Sequence, residues 1–188
     1  MDDDLKQQIE ESTALLAACG GLLPTLRSAA DVVVDALRAG GTVVFCGNGG
    51  SASQAQHFAA ELVVRFRRER PAFRAIALTA DTSILTAVGN DYCFERVFAR
   101  QVEALLRSGD VLVALSTSGR AANVCAAAQS ARRIGATVIG FTGRDGGKLA
   151  GLCDIELRVP HNDTARIQEA HLLLGHLLCD AVEAALAG

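Results

Sequence analysis

The chain has 188 residues, half of them hydrophobic and 21% charged, with a net charge of −3; this is enough for one domain with its own core and too apolar for a disordered chain. Aromatic residues make up only 4%, with no Trp and one Tyr, so aromatic platforms for single-stranded nucleic acid are excluded, and the acidic balance gives no electrostatic case for a nucleic-acid binder. No stretch approaches the ~20 apolar residues that cross a bilayer, and Met1-Asp2-Asp3-Asp4 is acidic where a secretion signal is basic, so a cytoplasmic protein is expected.

Residues 2–19 read as a helix stopped by Gly20-Gly21. Pro24 opens a second helix with Ala30, Val33, Val34 and Leu37 on one face, ended by Gly40-Gly41. From Thr42 short apolar runs alternate with helical segments. The runs are 42–46, 74–78, 111–115, 137–141 and 154–159. Helices are expected over 51–66, around Ile84, over 92–106, over 121–134 and, last and longest, over 163–186, with 143–147 as a tight glycine loop. Val-, Ile- and Leu-rich strands each followed by a crossover helix imply a doubly wound, five-stranded parallel α/β sheet in one domain, 1–188. Its two N-terminal helices, 1–40, exceed what the 41–188 core needs. The six cysteines (19, 46, 93, 125, 153, 179) form no CxxC pair and read as reduced, mostly buried small hydrophobes.

Ligands of such sheets bind beyond the carboxyl ends of the strands. Two strand ends carry suitable atoms. Gly47-Asn48-Gly49-Gly50-Ser51 is a strand–turn–helix in which glycines let N–H groups approach an anion and Ser51 can cap the helix; it is neither a Walker loop nor a GxGxxG fingerprint. Ser116-Thr117-Ser118-Gly119 offers three hydroxyls at a helix N-terminus, which suits a phosphate ester. Together the two turns favour a phosphorylated small molecule. His57 and Glu61 share one helix face at i,i+4. They form a metal-binding or acid–base pair, or a plain surface pair. On the last helix, Glu169 lines up with His176 better than Gln168 does, so spacing alone does not select Gln168. His161 is expected in solvent, and His171 at the surface or at a subunit contact.

These residues resemble the sugar isomerase (SIS) domain family, which has a flavodoxin-like fold, and within it the phosphoheptose isomerases. The resemblance covers nearly the whole chain. It is carried by Gly47-Asn48-Gly49-Gly50-Ser51, His57-Phe58-Ala59-Ala60-Glu61-Leu62, Val88-Gly89-Asn90-Asp91, Ser116-Thr117-Ser118-Gly119 and Arg166-Ile167-Gln168-Glu169. It implies an isomerase that converts sedoheptulose 7-phosphate into D-glycero-D-manno-heptose 7-phosphate through an enediol, for lipopolysaccharide and other surface glycans. By the same resemblance Ser116, Thr117 and Ser118 hold the phosphate. Asn48, Gly49, Gly50, Ser51, Glu61, Asn90, Asp91 and Gln168 bind the sugar, and Glu61 and His176 are the acid–base pair. Zinc, one per subunit, is implied at His57, Glu61, Gln168 and His176, where the metal competes with the base role for Glu61. A homotetramer with sites shared between subunits is also implied, and it would employ the helices of 1–40.

The chain departs from the family pattern at Ala121, where a further phosphate-binding serine is usual, at Cys93, where glycine is common, and at Ala165, where some members have aspartate. Cys93 would be strained if its turn required positive φ. A second reading is a non-enzymatic tetrameric SIS protein that binds the replication initiator DnaA. It shares Ala55 to Ala60, Arg65 to Pro71 and Arg166 to Glu169, but typically lacks the carboxylate and late histidine retained here as Glu61 and His176. A third is a sugar-phosphate sensor, for whose usual helix-turn-helix partner the chain has no room. The basic run Arg65, Arg67, Arg68, Arg70 reads as a solvated helix end, with Arg65 reaching a subunit's active site.

Overall fold

The computed structural model describes residues 2–187. Helix α1 (Asp2–Ala18) ends just before Gly20-Gly21, and a 3₁₀ turn at Cys19–Leu22 carries the chain on into α2 (Leu23–Arg38). Pro24 lies in the first turn of α2, where its missing N–H costs nothing. The run Asp2–Arg38 contains an 18-residue window of mean hydropathy 1.2, so by length and composition it does meet the test for a membrane span. Leu15, Leu26, Ala29, Ala30 and Val33 of this run are nevertheless core residues.

Five strands follow: β1 (Val43–Cys46), β2 (Ala75–Ala77), β3 (Val111–Ser116), β4 (Thr137–Thr142) and β5 (Ile155–Arg158). They form one all-parallel sheet in the order β2-β1-β3-β4-β5, with Phe45 opposite Ala77 and Val113. Period-two alternation sorts each strand between two cores. Val43, Phe45, Val113, Leu115 and Phe141 face the layer of α1, α2, α3 (Gly50–Val63) and α8 (Thr164–Leu186). Val44, Cys46, Leu112, Ala114 and Val138 face that of α4 (Thr82–Asp91), α5 (Ala99–Leu105), α6 (Ala122–Ile134) and the short α7 (Gly147–Ala150).

One local expectation is corrected and two are filled in. Helix α3 ends at Val63, not Phe66, because residues that would extend it find other partners: Glu183 Oε1 accepts from the Phe66 N–H, and Glu183 Oε2 from those of Arg67 and Arg68. The basic run is therefore a loop, and Arg70 within it is buried. The glycine segment after β4 passes directly into α7, whose Leu149 N–H donates to the Gly119 carbonyl. Cys93 carries no strain, since its φ of −165° is ordinary extended backbone.

Candidate active site

The strand order reverses between β1 and β3, and the turns leaving these two strands lie on either side of that point. A cleft of about 330 Å³ opens there. Asn48, Gly49, Gly50 and Ser51 line it from the β1 side, and Ser116, Thr117, Ser118 and Ala121 from the β3 side. Thr164 and Gln168 close it from α8. The N-termini of α3, α6 and α8 thus converge on one cavity, adding helix-dipole ends to three hydroxyls, while the first N–H groups of α8 are capped by the Asp163 carboxylate. Hydroxyls and helix N-termini of this kind suit an anion.

Glycine geometry builds the walls. Gly49 has φ +54° and is itself the N-cap of α3. Ser51, expected as the cap, lies inside the first turn and is buried. Gly119 has φ +62°, and a Cβ there would run into the backbone of Gly146 and Gly147. The hydroxyl turn is therefore braced against the α7 turn. A Cβ at Gly50 would meet the amide of Gln168, with 2.6 Å to its Nε2, so the bare backbone of α3 lies against that side chain.

Asn48 reaches the cleft, but its amide is engaged elsewhere. Its Nδ2 donates to Asn123 Oδ1 at 2.8 Å and its Oδ1 accepts from Asn123 Nδ2 at 2.9 Å. Asn123, buried at the start of α6, also accepts from the Val124 N–H. The pair ties the two turns together. Sequence reading missed Asn123; an amide near a helix start was its only signal.

On the same face of the sheet, α3 and α8 pack side by side and bring three donor groups together. His57 Nε2 lies 2.8 Å from His176 Nε2 and 3.4 Å from Glu61 Oε1. The donor atoms of His57, Glu61 and His176 all lie within 4.8 Å of one another. Two Nε2 atoms at that separation either share a proton or both aim lone pairs at a cation. Burial pushes the His176 pKa below its ordinary value; nearby His57 adds to this, and the Glu61 carboxylate opposes it. The Phe66 ring lies against that of His176, with centroids 5.5 Å apart and planes 28° apart. Gly175 permits the close approach of α3 and α8, because a Cβ there would enter the Phe58 ring.

Asn90 and Asp91 stand apart from the cleft. Both are exposed at the end of α4, and the side-chain hydrogen bond they make is between themselves. His161 is not in solvent: its Nε2 lies 3.0 Å from Glu11 Oε1 and its Nδ1 accepts from the Asp163 N–H. His171 is neither a surface residue nor a contact. It is fully buried, with Nε2 2.9 Å from the Thr142 carbonyl, which places a donor on that nitrogen.

A family model described as a SIS domain matches residues 9–143. The chain belongs to the SIS domain family. A phosphoheptose isomerase of Rhodospirillum rubrum is 52% identical over 186 residues, covering 99% of each chain. That of Helicobacter hepaticus is 57% identical over 162 residues, 86% of this chain and 83% of its own. The structure of phosphoheptose isomerase from Neisseria gonorrhoeae superposes with a TM-score of 0.93 at 45% identity, covering 97% of this chain and 98% of that one. Within the SIS family the chain therefore groups with the phosphoheptose isomerases.

Proposed function

We propose that the chain isomerises sedoheptulose 7-phosphate to D-glycero-D-manno-heptose 7-phosphate, in the supply of heptose to lipopolysaccharide and other surface glycans. The observation that carries this reading is the carboxylate–imidazole cluster beside an anion cleft, in a chain whose relatives at about half identity are phosphoheptose isomerases. The adaptor reading has no observation of this kind in its favour.

Conversion of a 2-ketose to an aldose moves a proton from C1 to C2 through an enediol and a second proton between the two oxygens. Ser116, Thr117 and Ser118, with the surrounding helix N-termini, grip the phosphate and supply positioning energy away from the reacting carbons. Glu61 takes the C1 proton and returns it to C2. His176 relays the second proton from the C1 hydroxyl to the C2 oxygen, so that it is left with the same proton count at the end. Gln168 and the Gly49-Gly50 backbone hydrogen-bond the sugar hydroxyls.

The three converging nitrogen and oxygen donors are of the kind zinc takes, so the residues fit such an ion. His57, Glu61 and His176 would hold it; Gln168, two turns before His176 on α8 with its amide against Gly50, is the fourth ligand that the family resemblance implies. When bound, the ion polarises the sugar oxygens. One zinc per subunit, reduced in His57→Gln, is the expected result of elemental analysis; a metal-free active enzyme would remove this part of the reading.

The same proposal includes a homotetramer with shared sites. Asn90 and Asp91, distant from their own cleft, would serve a neighbour's, and the helices of 1–40 would make contacts. The apolar groove between α2 and α8, lined by Leu23, Leu26, Val34 and Leu177, offers a surface for them. A cytoplasmic location suits a phosphorylated metabolite and the six free cysteines. The activity test is incubation with sedoheptulose 7-phosphate in D₂O. The expected product is the aldose, with solvent deuterium at C2 only to the extent that the proton held on Glu61 exchanges before it is returned; absence of the aldose contradicts the proposal.

A further inference from the structure

Glu61 and His176 sit on different helices, and something must hold those helices in register at this end. Glu183 lies two turns beyond His176 on α8, within about 20° of it around the axis. It is fully buried, yet it carries a carboxylate. That carboxylate accepts from the N–H groups of Phe66, Arg67 and Arg68 at 2.8, 2.7 and 2.8 Å and lies 3.2 Å from Arg70 Nε. The Arg70 guanidinium in turn donates to the carbonyls of Glu61 at 2.9 Å, Leu62 at 2.9 Å and Pro71 at 3.0 Å. The Glu61 carbonyl, Arg70, Glu183 and the α8 backbone under His176 thus form one continuous buried path. Phe66, whose N–H Glu183 grips, is the residue whose ring lies along His176.

We propose that Arg70 and Glu183 are positioning residues for the isomerisation: a latch that clamps the last turn of α3 beneath Glu61 and holds Phe66 against the His176 ring. The inference rests on Glu61 and His176 being the reacting pair. A buried ion pair is a poor source of net stability compared with apolar packing, but it fixes geometry well. Three backbone donors, three backbone acceptors and the ion pairs of Glu183 with Arg70 and Arg68 tie this loop down. Misplacing catalytic groups by about 1 Å is enough to cost on the order of a hundredfold in rate.

The test compares full-length Arg70→Lys and Glu183→Gln with wild type. Lysine keeps the charge, but its compact ammonium with three donors cannot span three carbonyls and a carboxylate, while glutamine keeps an acceptor oxygen and loses the charge. In both, kcat for sedoheptulose 7-phosphate is expected to fall about tenfold or more while KM stays within about threefold, because the phosphate turn is untouched. Val138→Ala, on the far face of the sheet, serves as a folded control destabilised by simple loss of packing, and is expected to keep its kcat. Wild-type kcat in the latch variants, or a fall no larger than that of Val138→Ala, overturns the inference. Should neither latch variant fold, Phe66→Leu decides: the same kcat-only loss supports the latch, and an unchanged kcat overturns it. Glu61→Gln separates the two levels. Full activity there removes the underlying acid–base reading, whereas an inactive Glu61→Gln beside normal latch variants removes only the latch.

Discussion

His171 donates from Nε2 to the Thr142 carbonyl in a fully buried site, and burial pushes its pKa down to about 4, opposed in part by that bond. Unfolded, a histidine titrates near 6.5. Between these values the unfolded chain binds a proton that the folded chain refuses. The stabilisation is therefore complete above pH ~6.5 and lost as pH falls towards ~4, on the order of 3 kcal/mol in all. In His171→Gln this share of the acid loss is expected to vanish, read as the change in urea-unfolding free energy between pH 7 and pH 4.5 within each protein. An equal change in both would contradict the assignment. Ala121 poses a second test at this scale. It is the N-cap of α6, makes no side-chain cap bond and lines the cleft beside Ser116 and Ser118. Ala121→Ser is expected to lower KM about fivefold at unchanged kcat, the effect of one hydrogen bond of about 1 kcal/mol to the phosphate. A KM that rises or does not move contradicts this placement of the ester.

The pairing of α3 with α8 depends on a residue that carries no chemistry. Gly175 lets the Phe58 ring lie directly on the α8 backbone, with His57 and His176 at its flanks. Gly175→Ala is expected to destabilise the fold by about 1–3 kcal/mol through overpacking, despite the better helix propensity of alanine. It should also lower kcat more than it raises KM, since the helices separate at the acid–base cluster and not at the phosphate turn. Stability at or above wild type in thermal unfolding would show that the helices have room. Much at this level was legible beforehand, because period-two runs and capping residues report locally. The strands were found to within one or two residues, as were α2, α6 and α8. What local pattern hid were the partners from far along the chain. Glu183 takes the N–H groups that would have continued α3, so the basic run read as a helix end when it is a loop. His161 finds Glu11 150 positions away, so it read as a solvent residue.

At the scale of the molecule, the order β2-β1-β3-β4-β5 places the turns after β1 and β3 side by side, and burial on one sheet face places α3 beside α8. The turn proposed to hold the phosphate is legible as three hydroxyls before a glycine. Gln168 and His176 were not selected by spacing, and only the resemblance pointed to them. The reason is physical: helical periodicity says which residues share a face, not which other helix that face meets. Asn90 and Asp91 mark the remaining gap, since a single chain leaves them exposed. The central claim is that this packing turns a carboxylate on one helix and an imidazole on another into a proton-transferring pair. The measurement that tests it most directly is turnover and sedoheptulose 7-phosphate binding by Glu61→Gln. The account predicts a loss of about 10²–10⁴-fold in kcat, the usual worth of general acid–base catalysis, with a dissociation constant close to wild type. Turnover near that of wild type would contradict it.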